Sequence, residues 1–250
     1  MSSDERQRPA AERREALKEL LAQARACTRC PELAATRKTV VFGAGNADAQ
    51  LMFVGEAPGA SEDEQGLPFV GRAGKLLNTL LEEIDLSRSE VFVANTLKCR
   101  PPGNRDPQPI ELENCREYLL RQVELIEPAV ICTLGNFSTK LLREDPTGIT
   151  RLHGQPEVIR LGRRNVRLYP IYHPAAALYT PRMLETLRED FVRLPELLAL
   201  GPPEQPPAEE LAALSAEAEP LAAEPPDGVG EAPAGEGEQA PPQADQLGLF

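Results

Sequence analysis

Short apolar runs that alternate with helical patterns most constrain how this chain can fold. Four runs are short enough for buried strands, at 51–54, 91–94, 129–134 and 169–172. Helical spacing of apolar residues predicts helices at 10–26, 74–84, 109–126, 136–142 and 181–199. A further segment, 158–168, predicts a hairpin around Gly162. Strands that alternate with helices predict an α/β fold, a three-layer α/β/α sandwich around a central four-stranded parallel sheet.

The distribution of charge separates a folded part from a tail. Residues 201–250 contain 11 acidic residues, no Lys or Arg and 10 of the 25 prolines, so the remaining 200 residues are almost neutral. A segment of this composition cannot bury enough apolar surface to fold. We therefore expect a flexible N-terminus at 1–14, one folded domain at 15–200 and a disordered acidic linker at 201–245. The last five residues, 246–250, are a separate case.

Four of the five cysteines form two spaced pairs. Cys27 and Cys30 are a C-x2-C pair, and Cys99 and Cys115 follow 68 residues later with 15 residues between them. No secretory segment or run of apolar residues long enough to cross a membrane is present, which favours a reducing cytoplasm over disulfides. The pattern predicts a metal or iron–sulfur site that joins distant segments of one domain. Zinc and an inert buried set are the alternatives. Cys132 lies inside a predicted strand and is expected to be core.

Candidate binding residues follow the predicted strands, because ligands of parallel sheets bind beyond the carboxyl ends. A Gly/Pro loop at 55–59 follows the first strand, Asn95 ends the second, and His173 follows the fourth. Asn95 offers both a donor and an acceptor in one plane, and Phe69 offers an aromatic face. Motifs of serine hydrolases, metalloproteases and phosphate-binding loops are missing from the sequence. Alternatively, Phe69 is core, Asn95 caps a turn, and the acidic run at 62–64 is a solvated surface.

Together, these segments resemble the family 4, iron–sulfur uracil-DNA glycosylases. The resemblance covers about residues 15–200 and depends on four motifs: G-E-A-P-G from Gly55, G-L-P-F-V-G-R-A-G from Gly66, N-T-L-K-C-R-P-P-G-N-R from Asn95, and H-P-A-A from His173. It implies an enzyme of base-excision repair that flips uracil out of DNA and hydrolyses the N-glycosidic bond. It also implies a [4Fe-4S] cluster on the four paired cysteines.

The resemblance implies a role for each site residue. The catalytic residues are His173, Asn95 and Glu56. The uracil-binding residues are Glu56, Ala57, Pro58, Glu62, Phe69, Asn95 and His173. Asn95 would read N3–H and O4, His173 would hydrogen-bond O2, and Glu62 would face the C5 edge. The implied DNA contacts are Arg72, Lys98, Arg100, Asn104, Arg105 and Leu178, with Leu178 as the wedge that fills the gap in the duplex.

The C-terminal pentapeptide resembles the peptide by which bacterial proteins bind the sliding clamp. Its anchors would be Gln246, Leu247, Leu249 and Phe250. A short anchor on a long leash fits a tethering role. We therefore expect a cytoplasmic, nucleoid-associated monomer whose partners are uracil-containing DNA and the clamp, with no membrane. The competing hypothesis is a non-catalytic DNA- or clamp-binding adaptor with a structural cluster. A covalent-trapping relative is disfavoured, since the loop after Cys99 contains no histidine.

Overall fold

A six-stranded mixed sheet forms the centre of the protein. The computed structural model describes residues 10–207. The strands are β1 (Ala44–Gly45), β2 (Leu51–Gly55), β3 (Phe92–Asn95), β4 (Val130–Leu134), β5 (Glu157–Leu161) and β6 (Arg164–Ile171). Their order is β1-β3-β2-β4-β6-β5. The four central strands are parallel, and β1 and β5 add one antiparallel strand at each edge. The predicted α/β fold is confirmed, and the predicted parallel sheet of four strands is its centre.

Helices cover both faces of the sheet. They are α1 (Ala10–Ala26), α2 (Pro31–Thr36), α3 (Ala60–Gln65), α4 (Arg72–Glu82), α5 (Pro109–Ile126), α6 (Asn136–Arg143), α7 (Ile149–Leu152), α8 (Pro174–Ala177), α9 (Pro181–Val192) and α10 (Leu194–Ala199). Side chains of β2 alternate between two apolar cores, with Met52 on the side of α1 and α5 and Phe53 on the side of α4 and α9. No helix of residues 10–207 is long and apolar enough to cross a membrane.

Two predicted elements differ in extent from those observed. The predicted helix 181–199 is two helices. Pro195 has no N–H to donate and is tolerated only in the first turn of a helix, so a new helix, α10, begins there. The predicted hairpin and the predicted strand 169–172 share one long strand, β6, which pairs with both β4 and β5. The antiparallel β1 is only two residues long and has no pattern that predicts it.

The ends of the described chain extend the domain slightly beyond the predicted 15–200. Helix α1 already begins at Ala10. Residues 201–207 form neither helix nor strand, but Gln205 exchanges two hydrogen bonds with the backbone of Asn165, at 3.2 and 2.9 Å. The rest of the predicted linker and the predicted clamp peptide at 246–250 lie outside the described residues.

Candidate active site

The carboxyl ends of β2 and β3 fix the two loops that carry the first candidate residues. Gly55 pairs with Asn95 in the parallel register of these strands. The pairing continues past the strand ends, because the Thr96 N–H donates to Gly55 O and the Leu97 N–H donates to Glu56 O, each at 3.0 Å. Glu56 and Asn95 are therefore neighbours on adjacent, hydrogen-bonded segments at one edge of the sheet.

Asn95 presents a polar atom that no described residue satisfies. The side chain is 2% exposed, and its Oδ1 is buried with no hydrogen-bond partner in the described part of the chain. Leaving such an acceptor unpaired costs about 1–3 kcal/mol. The atom faces Gly55, where an added Cβ would overlap it. The absence of a side chain at Gly55 therefore lets the Asn95 amide oxygen lie close to the β2 backbone, and this oxygen remains an acceptor that a ligand N–H could satisfy.

Phe69 packs against the same glycine as Asn95. Its ring lies against Gly55, since a Cβ there would approach the ring to 2.7 Å. Its backbone has a positive φ of 55°, which few non-glycine residues adopt. On the other side, Gly74 of α4 packs so tightly that a Cβ would overlap the Phe69 carbonyl oxygen. Because neither Gly55 nor Gly74 carries a side chain, Phe69 can pack between them in this backbone conformation.

Glu62 holds the loop that carries Phe69. Its Oε1 accepts from the N–H groups of Val70 and Gly71 at 3.0 and 2.9 Å. Gly71 is the N-cap of α4 and Val70 precedes it, so Glu62 of α3 fixes the backbone that leads from Phe69 into α4. The alternative that Glu62 is a solvated surface residue is therefore wrong. The expected contact with the C5 edge of a base stays a prediction.

His173 is held as a neutral hydrogen-bond donor. Its Nδ1 accepts from the Ala175 N–H at 3.1 Å at the start of α8, so a neutral ring carries its proton on Nε2. Burial lowers the pKa of His173 to about 4, and the charge of Glu62 only partly opposes this shift. The ring centroid lies 5.6 Å from that of Phe69, with 29° between the planes. His173 and Phe69 are therefore brought together as the sequence predicted.

Glu56, Ala57 and Pro58 follow Gly55 in the loop after β2. Burial, and then the charge of Asp106, raise the pKa of the Glu56 carboxyl. Pro58 is buried and Ala57 is half-buried against the apolar core on the α1 side. The predicted contacts of Ala57 and Pro58 with uracil, through their backbone groups, stay predictions.

Burial contradicts one predicted phosphate contact, and ion pairs surround a second. Lys98 is 1% exposed and donates to Asn95 O at 2.9 Å and to Gln122 Oε1 at 2.6 Å. It therefore holds the backbone of Asn95 from inside the domain and cannot reach DNA. Arg105 is paired with Glu111 and Glu32 at 2.6 and 2.8 Å. These carboxylates neutralise it and join the loop 101–108 to α5 and α2, which argues against a phosphate contact.

The other predicted DNA contacts lie at the surface. Arg100 Nε donates to Asn104 Oδ1 at 2.7 Å within the loop that follows Cys99. Arg72 is exposed, donates to the hydroxyl of Tyr179 at 2.6 Å and lies 5.0 Å above its ring. Leu178 is half-buried just before this exposed tyrosine. Tyr179, 76% exposed, was not predicted as a site residue.

All four paired cysteines line one cavity between α1, α2, α5 and the segment after β3. Within residues 10–207, no three His, Cys, Asp or Glu side chains are grouped closely enough to hold a single metal ion. Hydrogen-bond donors surround the sulfurs: Arg37 Nη1 lies 3.1 Å from Cys99 Sγ, and the Lys98 N–H lies 3.3 Å from Cys115 Sγ. Cys132 is fully buried in β4, apart from them.

Arg37 and Asn114 are functional candidates that the sequence did not indicate. Besides its contact with Cys99, Arg37 donates to the carbonyls of Arg25 and Cys27 at 3.1 and 2.9 Å. Asn114 Nδ2 lies 3.5 Å from Cys30 Sγ and 3.1 Å from Arg29 O. Neither residue belongs to a motif, so their proximity to the sulfurs follows only from the folded chain.

Comparison with known proteins agrees with this fold. The model of the uracil DNA glycosylase superfamily matches residues 42–195, so the chain belongs to that superfamily. The type-4 uracil-DNA glycosylase of Archaeoglobus fulgidus is 45% identical over 188 residues, 73% of this chain and 94% of that protein. That of Sulfurisphaera tokodaii is 46% identical over 68% of this chain and 80% of that protein. That of Thermotoga maritima is 43% identical over 66% of this chain and 85% of that protein. Within the superfamily, the chain belongs to the type-4 group, which confirms the predicted resemblance.

Proposed function

We propose that this protein removes uracil from DNA by hydrolysing the N-glycosidic bond of a flipped-out nucleotide, which leaves an abasic site. The observation that carries the proposal is the buried, unpartnered Oδ1 of Asn95, which lies with the Phe69 ring against Gly55, while the neutral His173 adjoins that ring. A base inside a duplex cannot reach this buried acceptor, so the nucleotide must leave the stack.

Asn95 selects uracil by the direction of its hydrogen bonds. Its Oδ1 accepts from N3–H of uracil, and its Nδ2 donates to O4. Cytosine presents an unprotonated N3 and an amino group at the same positions. Binding cytosine would therefore leave two acceptors facing each other and two donors facing each other in a buried site, at a cost of about 1–3 kcal/mol for each unpaired group.

His173 stabilises the charge that gathers on O2 as the glycosidic bond breaks. A neutral imidazole with its proton on Nε2 donates one hydrogen bond to that oxygen. Well-aimed donors of this kind contribute about 3–4 kcal/mol to the transition state in other enzymes. Phe69 stacks on the ring and keeps it in the plane that both polar residues address. Glu56, next to the scissile bond, orients the attacking water, with Asn104 as the alternative.

The four cysteines are proposed to hold a [4Fe-4S] cluster. The donor set fits: four sulfurs line one cavity with N–H donors directed at them, and a four-iron cluster spreads its thiolates further apart than a single ion does. Such a cluster can carry one electron, but its proposed role here is structural. Cys99 lies four residues after Asn95, and Cys27 and Cys30 connect the end of α1 to the same corner.

Contacts to DNA are proposed for the exposed rim of the site. Arg72 and Arg100 would bind phosphates, and Leu178 would enter the gap that the flipped nucleotide leaves. The C-terminal pentapeptide is proposed to bind the sliding clamp and so raise the local enzyme concentration. Deletion of 246–250 should abolish clamp binding and leave uracil release from a short oligonucleotide unchanged. Clamp affinity that survives this deletion would reject the tether.

The decisive experiment is release of uracil from a single uracil-containing oligonucleotide under single-turnover conditions. His173→Ala and Asn95→Ala should each slow release by about 100-fold or more. The chain has one other histidine, and His153→Ala is the matched control that should keep nearly full activity. An adaptor that only binds DNA would release no uracil even with its cluster intact, and that result would reject the enzymatic proposal.

A further inference from the structure

A cavity of about 820 Å³ lies behind the Phe69 loop, at the β1 edge of the sheet. Its walls are the end of β1, the loop 67–70, one face of α4 and the segment before β3. It shares Phe69 with the candidate active site but includes none of Glu56, Asn95 and His173. Its volume falls in the range of about 300–1,000 Å³ that small-molecule pockets occupy.

Arg88 places an uncompensated positive charge in this cavity. Its Nη2 donates to Pro68 O at 3.0 Å, whereas Nη1 is buried with no hydrogen-bond partner in the described chain. Within residues 10–207 it forms no salt bridge, and the neighbouring Glu90 accepts instead from the N–H and hydroxyl of Ser87, each at 2.7 Å. Burial without a counter-charge lowers the pKa of Arg88 to about 10. A guanidinium in this position favours an anionic partner.

The rest of the lining adds a second cation and no acid. Lys75 and Asn78 stand three residues apart on one face of α4, and both line the cavity. Asn78 Oδ1 is buried with no partner in the described chain, and Lys75 is exposed at the rim. No Asp or Glu is among the lining residues that the structure describes. Leu67 and Pro68 add an apolar wall to the same lining.

We propose that this cavity binds a phosphate-bearing ligand of the nucleotide class. The phosphate would lie between Arg88 and Lys75, because two cations match the charge of a phosphate and a guanidinium matches its geometry. The sugar or base would pack on the apolar wall. A free nucleotide and a nucleotide of the DNA backbone share this chemistry. The proposal goes beyond uracil excision and does not require the protein to be active.

Occupation of the cavity would act on the Phe69 loop. The same guanidinium holds the Pro68 carbonyl through Nη2, so an anion bound to this guanidinium would fix the orientation of the whole planar group. A fixed Arg88 in turn restrains the backbone next to Phe69. The ligand would therefore reduce the mobility of the Phe69 loop, which forms part of the proposed uracil site.

Calorimetric titration of the full chain with thymidine 5′-monophosphate and with inorganic phosphate, at low salt, tests the site. The nucleotide should bind more tightly than phosphate because the apolar wall adds contacts. Arg88→Gln and Lys75→Ala should each weaken nucleotide binding, by about tenfold for Arg88→Gln. Lys140→Ala removes an exposed lysine of α6 as the matched control and should change nothing. Lys75→Ala and Asn78→Leu replace Arg88→Gln if that variant fails to fold.

A second titration distinguishes the two sources of phosphate. Single-stranded DNA without uracil should lose affinity in Lys75→Ala, and should compete with the nucleotide, if the backbone is the occupant. Unchanged DNA affinity with weakened nucleotide binding supports a free nucleotide. Absence of detectable nucleotide binding, or equal affinity in wild type and both variants, overturns the proposal. Uracil release is measured separately, so failure here leaves the glycosylase proposal intact, and the converse also holds.

Discussion

The neutral state of His173 predicts how uracil release and stability depend on pH. The pKa falls from 6.5 to about 4 in the folded protein, a difference that corresponds to about 3.4 kcal/mol against protonation. Because the unfolded chain binds more protons between these values, stability must fall as the pH drops below about 6.5. The loss between pH 7 and pH 5 is about 2 kcal/mol, an upper figure because the ring keeps some contact with water.

Single-turnover uracil release measured from pH 8 to pH 5 separates His173 from Glu56. If the neutral ring is the donor, the rate should not rise as the pH falls through 6.5. Any acidic decline should come from Glu56, whose pKa is raised by burial. Glu56→Gln should therefore remove the decline. His173→Gln, which keeps a neutral donor, should retain the decline and lose less activity than His173→Ala.

Two results would refute this reasoning. The first is a rate that increases as the pH drops from 7 to 5.5, since that would require the imidazolium. The second is an acidic decline that disappears in His173→Gln but persists in Glu56→Gln. Urea unfolding of wild type and His173→Gln at pH 7 and pH 5 is the companion measurement, and an equal loss in both proteins would contradict the assigned pKa.

Three further substitutions test the support of the site. Glu62→Ala should raise KM for the uracil substrate and lower stability by about 1 kcal/mol, because it removes the two hydrogen bonds that fix the Phe69 loop; unchanged KM would contradict this. Gly74→Ala should destabilise the protein by about 1–3 kcal/mol or more through overlap with the Phe69 carbonyl, so wild-type urea stability would count against the packing described. Lys98→Met should slow uracil release about tenfold with a smaller effect on unfolding, because Asn95 loses its support while a costly buried charge is removed; an unchanged rate would show that this support is dispensable.

The sequence predicts the strand-end residues well because parallel strands give them a common direction. Asn95, Phe69 and His173 meet as expected, since each follows a strand or loop with a recognisable pattern. Lys98 was misjudged because a lysine in a motif rich in Arg and Pro resembles a phosphate contact. Its burial follows from the Gln122 partner on α5, 24 residues away, which no local pattern reveals.

The β1 edge of the sheet was also beyond local patterns. β1 is two residues long, so it is defined by its pairing with β3 and not by any alternation of its own. Arg37 provides a second example, since its place beside Cys99 depends on a contact across 62 residues. Long-range contacts of this kind carry no signal in one sequence.

The close packing of Phe69 between Gly55 and Gly74 implies how the site tolerates mutation during evolution. Neither glycine contributes a functional group, yet one added methyl group would overlap Asn95 Oδ1 and the Phe69 ring at Gly55, or the Phe69 carbonyl at Gly74. In a saturation-mutagenesis screen selected on uracil repair, both positions should therefore be as intolerant as His173. Exposed positions of α4, the helix that contains Gly74, should accept most substitutions, and Thr79 is one of them. The absence of a side chain at these two positions is therefore as important for the site as the presence of its reactive groups.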